Sequence, residues 1–129
     1  MKSFLEILNA SDGFVHLQPA TVTDICRAEE VLGVMFAKEY KDYLSSCGAA
    51  SVRGHEFTGI CESKRLNVVA ATERVRAMGI KSPLNAYVVE ESDCEGITIW
   101  QNSSGEVLQS NPNAAAVKIA KSLAEYMDR

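Results

Sequence analysis

The sequence predicts an α+β fold in which a mostly antiparallel sheet is flanked by helices. Apolar residues recur at helical spacing in the first half of the chain, whereas three runs in the second half are rich in β-branched and aromatic residues. The loops between these runs are too short for the crossover that parallel neighbours require. A length of 129 residues is typical of one domain, so we expect residues 1–129 to form a single domain with its core in residues 20–127.

The helices of the first half are predicted from their apolar stripes and from the glycines that end them. A short helical pattern covers residues 3–9, and a second helix begins at a cap, Thr21 or Thr23, and ends at Gly33. A third helix begins near Ala37 and ends at Gly48. The apolar stripe of the second helix is Val22, Ile25, Cys26 and Leu32, and that of the third is Tyr40, Tyr43, Leu44 and Cys47.

The remaining elements alternate between strands and helices. Two short strands are expected within residues 50–53 and 56–58, and a helix over residues 68–78. Three longer strands are expected at 87–90, 97–101 and 106–109. A final helix is predicted from a cap at Asn111 and a proline at the first helical position, Pro112. Its inner face would be Val117, Ala120, Leu123, Ala124 and Met127.

The charge balance and the hydropathy pattern argue against several classes of function. The formal net charge of −4 disfavours general nucleic-acid binding, which depends on dense Lys and Arg. No apolar run approaches the ~20 residues that span a bilayer, and the first residues lack the apolar region of a secretory signal. We therefore expect a cytoplasmic protein that binds neither nucleic acid nor membrane. The sequence leaves a monomer and a weak homodimer open.

The chain also lacks the motifs that bind cofactors and metals. The four cysteines form no C-x-x-C pair, so we expect no zinc site. Because a secretory signal is not apparent, we expect reduced thiols rather than disulfides. His55-Glu56 begins like the zinc-protease motif H-E-x-x-H, but Gly59 stands where the second histidine would be. We expect no enzyme, no cofactor and no metal. One catalytic alternative stays open, in which His55 acts with Glu56 as the general base of a small hydrolase.

A cluster of carboxylates is the candidate site for binding a partner. Glu90, Glu91, Asp93 and Glu95 lie at one strand end and in the following loop, where we expect them to stay in water. Such a patch could dock a cationic protein surface, since complementary charge speeds association. It could instead be a solvated loop, and calcium is a further alternative, although the spacing matches no standard calcium loop.

Two more residues are included among the candidate partner-binding residues. Glu56 adds a further carboxylate on a preceding short strand. Trp100, the one tryptophan of the chain, lies on a strand whose two faces are both partly apolar. It could therefore belong to the core beneath a helix, or it could be an exposed anchor for a partner.

The order of residues in the predicted second and third helices resembles a known family. An acidic residue, Glu29 or Glu30, is followed by Leu32-Gly33, and then by an aromatic stripe from Tyr40 that ends at Cys47-Gly48. This order resembles the opening of SUKH-superfamily domains, which include YobK-like immunity proteins and the fungal Smi/Knr cell-wall regulators. Phe36 stands where members usually carry proline. The resemblance continues, through Phe57-Thr58-Gly59-Ile60 and the Trp100 strand, over residues 20–127.

The resemblance implies a protein that binds another protein and has no catalytic activity of its own. Many bacterial members are immunity proteins against polymorphic or contact-dependent toxins. Each binds its cognate toxin domain, often a nuclease or deaminase, and blocks the active site or substrate groove. The acidic balance of this chain suits the basic groove of a nuclease. The alternative that the family offers is a regulatory or scaffold protein, as in the fungal members.

Overall fold

The computed structural model describes residues 2–79, 82–92 and 96–128, and within them it has five helices and seven strands. The helices are α1 (Phe4–Asn9), α2 (Val22–Leu32), α3 (Lys38–Cys47), α4 (Val68–Ala77) and α5 (Leu123–Met127). The strands are β1 (Val15–His16), β2 (Ala50–Val52), β3 (His55–Phe57), β4 (Ala86–Glu91), β5 (Thr98–Asn102), β6 (Val107–Asn111) and β7 (Ala114–Ala120).

The described strands form two antiparallel sheets, so the α+β class is confirmed. The small sheet has the order β1-β2-β3 and the larger one the order β4-β5-β6-β7. Arg53 and Gly54, with φ values of 47° and 82°, make the two-residue turn between β2 and β3. Two positive φ values in succession suit the right-handed twist of a hairpin. The two sheets meet where the Thr58 amide donates a hydrogen bond of 2.9 Å to the Val89 carbonyl.

Helix α2 begins at a predicted cap and ends at the predicted glycine. Thr21, rather than Thr23, caps α2 through its hydroxyl, which accepts from the Asp24 amide, and Gly33 ends the helix in the left-handed conformation. The predicted apolar stripe of α2 is partly wrong, because Val22 and Cys26 are exposed. The buried stripe runs instead through Ile25, Ala28 and Leu32. These follow helical spacing, which leaves Cys26 about 100° away from Ile25.

Buried tyrosines join α3 to both sheets. Tyr40 and Tyr43 lie on the predicted stripe of α3, and each hydroxyl is 2.9 Å from an oxygen of Thr58. The Thr58 hydroxyl in turn donates to the Val88 carbonyl of β4 at 2.7 Å. The Tyr87 hydroxyl accepts from the Ala37 amide at the start of α3. Each of these buried hydroxyls has a hydrogen-bond partner, so burying the tyrosines leaves none of these hydroxyls unsatisfied.

The predicted C-terminal helix from Asn111 is wrong for most of its length. Residues 114–120 form strand β7, which pairs with β6, and the helix α5 contains only Leu123–Met127. The Asn111 side chain does accept from a nearby amide, that of Asn113, but this closes a turn between two strands. Val117, which was assigned to the buried face, is 58% exposed.

Two glycines allow three segments to cross closely beside α3. A Cβ atom on Gly59 would lie 1.6 Å from the Gly48 carbonyl oxygen, and one on Gly48 would lie 2.0 Å from the Gln18 carbonyl oxygen. Any side chain at either position would collide with backbone. Gly48 therefore ends α3, as predicted, and also allows residues 16–20 and 59–63 to approach the end of that helix closely.

Candidate protein-binding surface

The structure places the predicted acidic residues in different surroundings. Glu56 lies on β3, and Glu90 and Glu91 lie at the end of β4. Asp93 and Glu95 lie outside the described residues. The three described carboxylates all have partners within the chain.

Glu90 is buried rather than solvated, which corrects the expectation that it stays in water. Its residue is 8% exposed, and its carboxylate lies 2.9 Å from Nδ1 of His55. The Tyr126 hydroxyl donates to the same carboxylate at 2.6 Å. These contacts join β3, β4 and α5. Glu90 therefore holds elements together and does not face a partner.

Glu91 and Glu56 lie on the surface, and each forms an ion pair with an arginine. Glu91 pairs with Arg74 of α4, and Glu56 makes two parallel hydrogen bonds, of 2.9 and 2.8 Å, to Arg65. The Arg65 guanidinium holds the pKa of the Glu56 carboxyl below its usual value. Both pairs line a cleft of about 370 Å³ that also includes Thr58. Since each negative charge is matched, this cleft presents alternating signs rather than the uniform negative patch that was expected.

His55 contacts a carboxylate other than the one assumed in the hydrolase alternative. Neighbouring residues on a strand point to opposite faces, so His55 and Glu56 are directed apart. His55 instead contacts Glu90 and stacks on Phe57, with ring centroids 5.5 Å apart. Glu56 is held by Arg65. The pairing of His55 with Glu56 as a general-base system is therefore contradicted.

Trp100 lies in the core, which is the first of the two predicted alternatives. Its side chain is fully buried among a set of apolar residues beneath α4, and its indole N–H donates to the Ser110 hydroxyl at 2.9 Å. The packed neighbours are Ala71, Val75, Ala86, Val88 and Leu108. A partner therefore has no access to Trp100, and the prediction of Trp100 as a partner-binding residue is wrong.

The arginines that neutralise the acidic residues were not predicted as members of the site. Arg74 of α4 reaches Glu91 and the backbone carbonyls of Lys64 and Arg65. Nothing in the local sequence pairs Arg65 with Glu56, nine residues away. The sequence indicated only that basic residues, Lys64-Arg65 and Arg74 with Arg76, precede the acidic strand end in the chain.

Within the described residues, no group of three or more His, Cys, Asp or Glu side chains is arranged to hold a metal ion. In the same part of the chain, no helix is long and apolar enough to cross a bilayer.

A comparison with protein families identifies the family of the chain. The family model described as SUKH_5, SMI1-KNR4 cell-wall, matches residues 1–129. The chain belongs to the SUKH family. The resemblance noted in the second and third predicted helices is thereby confirmed, and the antiparallel α+β architecture is consistent with the SUKH fold. No curated protein matches the sequence.

Membership in the SUKH family also bears on the kind of role. The family is generally one of non-catalytic immunity and regulatory proteins, and an immunity-type role fits this membership. A histidine beside a carboxylate is a pair that can act as a general base. In this structure, His55 and Glu90 connect β3, β4 and α5.

Proposed function

We propose that this SUKH protein is an immunity protein that binds a cognate bacterial toxin domain and neutralises it by covering the active site. The match of the family model along residues 1–129 is the observation that carries the proposal. The toxin domain would be a nuclease, or another domain whose groove is similarly basic. A formal net charge of −4 favours association with such a groove.

The packing of the chain suits inhibition by occlusion. A buried network from Tyr40 and Tyr43 through Thr58 connects α3 to both sheets, and Glu90 connects the sheets to α5. A surface fixed in this way is preorganised, so less conformational entropy is lost when a partner binds. Blocking a toxin in this manner requires no reactive group.

A regulatory or scaffold role is the second candidate function. It is favoured by the description of the matching family model, which names cell-wall proteins. Gene context separates the two functions, because an immunity gene is expected beside the gene of a large secreted or repeat-bearing toxin. A gene without such a neighbour favours the regulatory role.

Co-expression with the C-terminal domain encoded by the neighbouring gene tests the proposal. We expect cells to survive induction of that domain only when this chain is also made, and the two proteins to copurify. Raising the expression of the toxin domain above that of the chain should abolish survival, because protection by occlusion is stoichiometric. If the chain neither binds the domain nor protects the cells, the proposed function is wrong.

A further inference from the structure

A groove lies beside the C-terminal end of α3 and contains none of the predicted acidic residues. It lies between residues 16–20 and residues 60–63 and has a volume of about 910 Å³. Its apolar lining comes from Leu17, Pro19, Ala20 and Ile60, and its polar rim includes Asp24 and Glu62. The exposed side-chain surface of this groove is more apolar than polar, which is typical of a binding site.

Both walls of the groove are fixed to the same short stretch of backbone. On one wall, the Leu17 amide donates to the Ala49 carbonyl and the Ala20 amide donates to the Leu44 carbonyl, each at 2.9 Å. On the other wall, the Ile60 amide donates to the Gly48 carbonyl at 2.9 Å. Because both walls are hydrogen-bonded to the end of α3, the groove is formed before any partner binds.

No ion pair among the described residues neutralises the charge at the groove. Asp24 and Glu62 take part in none of the ion pairs among the described residues, whereas Glu56, Glu90 and Glu91 each have a cationic or hydrogen-bonding partner. The Asp24 carboxylate accepts only a long contact of 3.5 Å from the Thr21 amide. In the described part of the chain, no Lys or Arg lines the groove.

We propose that this groove receives the toxin domain, through a segment that places an apolar side chain against Leu17 and Ile60 and a Lys or Arg beside Asp24 and Glu62. The proposal rests on the immunity function and specifies where the partner binds. Charge complementarity defines the occupant, because apolar walls beside two carboxylates that form no ion pair among the described residues match an apolar residue flanked by cations.

The outer edge of β7 is a weaker candidate for docking. A sheet edge can pair with a strand of another chain, but bulges and lysines interrupt such pairing. The pairing of β7 with β6 has two register shifts, and β7 carries Lys118, which pairs with Glu106 at 2.7 Å. The edge therefore has two of the features that keep strands from joining.

Binding measurements on two groove variants test the proposal, each with a matched control elsewhere on the surface. The probe is the C-terminal domain encoded by the neighbouring gene. Leu17→Asp puts a charge on an apolar wall of the groove, and its control is Leu84→Asp at an exposed leucine. Glu62→Lys reverses a charge at the rim, and its control is Glu73→Lys on the exposed side of α4. Circular dichroism establishes that all four variants are folded.

We expect Leu17→Asp to weaken binding at least about tenfold, because an apolar side chain of the partner would take the new carboxylate out of water. Glu62→Lys should slow association, most strongly at low salt, because rim charges act mainly on the association rate. The two control variants should bind like the wild type. Hydrogen exchange on the complex should show protection in residues 16–20 and 60–63.

The outcomes separate the groove from the immunity function. If the wild-type chain binds the toxin domain and the groove variants bind equally well, the groove proposal is overturned and the immunity function stands. Protection that maps to the cleft of Glu56 and Glu91, or to the edge of β7, overturns it in the same way. If the wild-type chain does not bind the toxin domain, both proposals fail.

Discussion

Nδ1 of His55 lies 2.9 Å from the Glu90 carboxylate, across the boundary between the two sheets. The contact joins the last strand of the small sheet to the first strand of the larger one, and Tyr126 of α5 adds a hydrogen bond to the same carboxylate. An acidic residue that the local sequence places in water is therefore a structural link. Contacts within the chain therefore distinguish carboxylates that stabilise the fold, such as Glu90, from carboxylates that can bind a partner.

Removing the Glu90 side chain is expected to destabilise the fold. Glu90→Ala leaves His55 and the Tyr126 hydroxyl without their shared partner in a part-buried site, which should lower the free energy of unfolding by about 1–3 kcal/mol. Urea denaturation measures this change. The exposed Glu73→Ala serves as the control and should change stability by less than about 0.5 kcal/mol. An equal effect of the two substitutions would show that Glu90 has no structural role.

Truncating Trp100 tests its place in the core. Trp100→Ala should cost about 3–5 kcal/mol of unfolding free energy, because a large cavity opens beneath α4. Leu84→Ala, at an exposed leucine, should have almost no effect. In the wild type, the fluorescence of this single tryptophan should be shielded from iodide and should not change when a partner binds. Strong quenching by iodide in the folded protein would contradict the buried position.

The glycine crossing beside α3 is tested by adding one methyl group. Gly59→Ala should reduce the free energy of unfolding by about 3 kcal/mol, since its Cβ would collide with the Gly48 carbonyl and the backbone must shift. Gly54→Ala is the control, because its φ of 82° is strained for alanine but no atom lies nearby. That substitution should cost about 1 kcal/mol. Urea denaturation of both variants gives the comparison, and a smaller loss for Gly59→Ala would contradict the crossing.

The buried tyrosines predict how stability depends on alkaline pH. Burial raises the pKa of Tyr40, Tyr43 and Tyr87 above the ordinary value of 10.0. The unfolded chain therefore ionises first, so stability is full below pH 10 and falls as the pH rises further. Absorbance of tyrosinate and circular dichroism should change together during alkaline unfolding. Ionisation of these tyrosines near pH 10 with the fold intact would contradict their burial.

The fold was predictable wherever one local signal decided the structure. Thr21 and Gly33 define α2, and the stripe from Tyr40 to Cys47 defines the buried face of α3. The segment after Asn111 was mispredicted because an asparagine side chain that accepts from a nearby amide can begin a helix or close a turn. Pairing with β6 decided the outcome, although the alanines that follow favour a helix.

The candidate site was less predictable because it depends on contacts between distant segments. Four acidic residues close in sequence suggest one negative patch, but the ion pair of Arg74 with Glu91 spans 17 residues and the contact of His55 with Glu90 spans 35. The groove likewise depends on distant segments, because residues 16–20 and 60–63 are both hydrogen-bonded to the end of α3. Only the three-dimensional structure distinguishes neutralised carboxylates from unpaired ones.

Under the proposed function, this chain neutralises a toxin domain by covering its active site. The most direct test titrates the activity of the purified toxin domain with the purified chain. We expect activity to fall linearly and to vanish when the two proteins are equimolar, because each bound chain covers one active site. Full toxin activity in a molar excess of the chain would contradict the proposed function. Complete inactivation by a small fraction of an equivalent would also contradict it, because that is the behaviour of a catalyst.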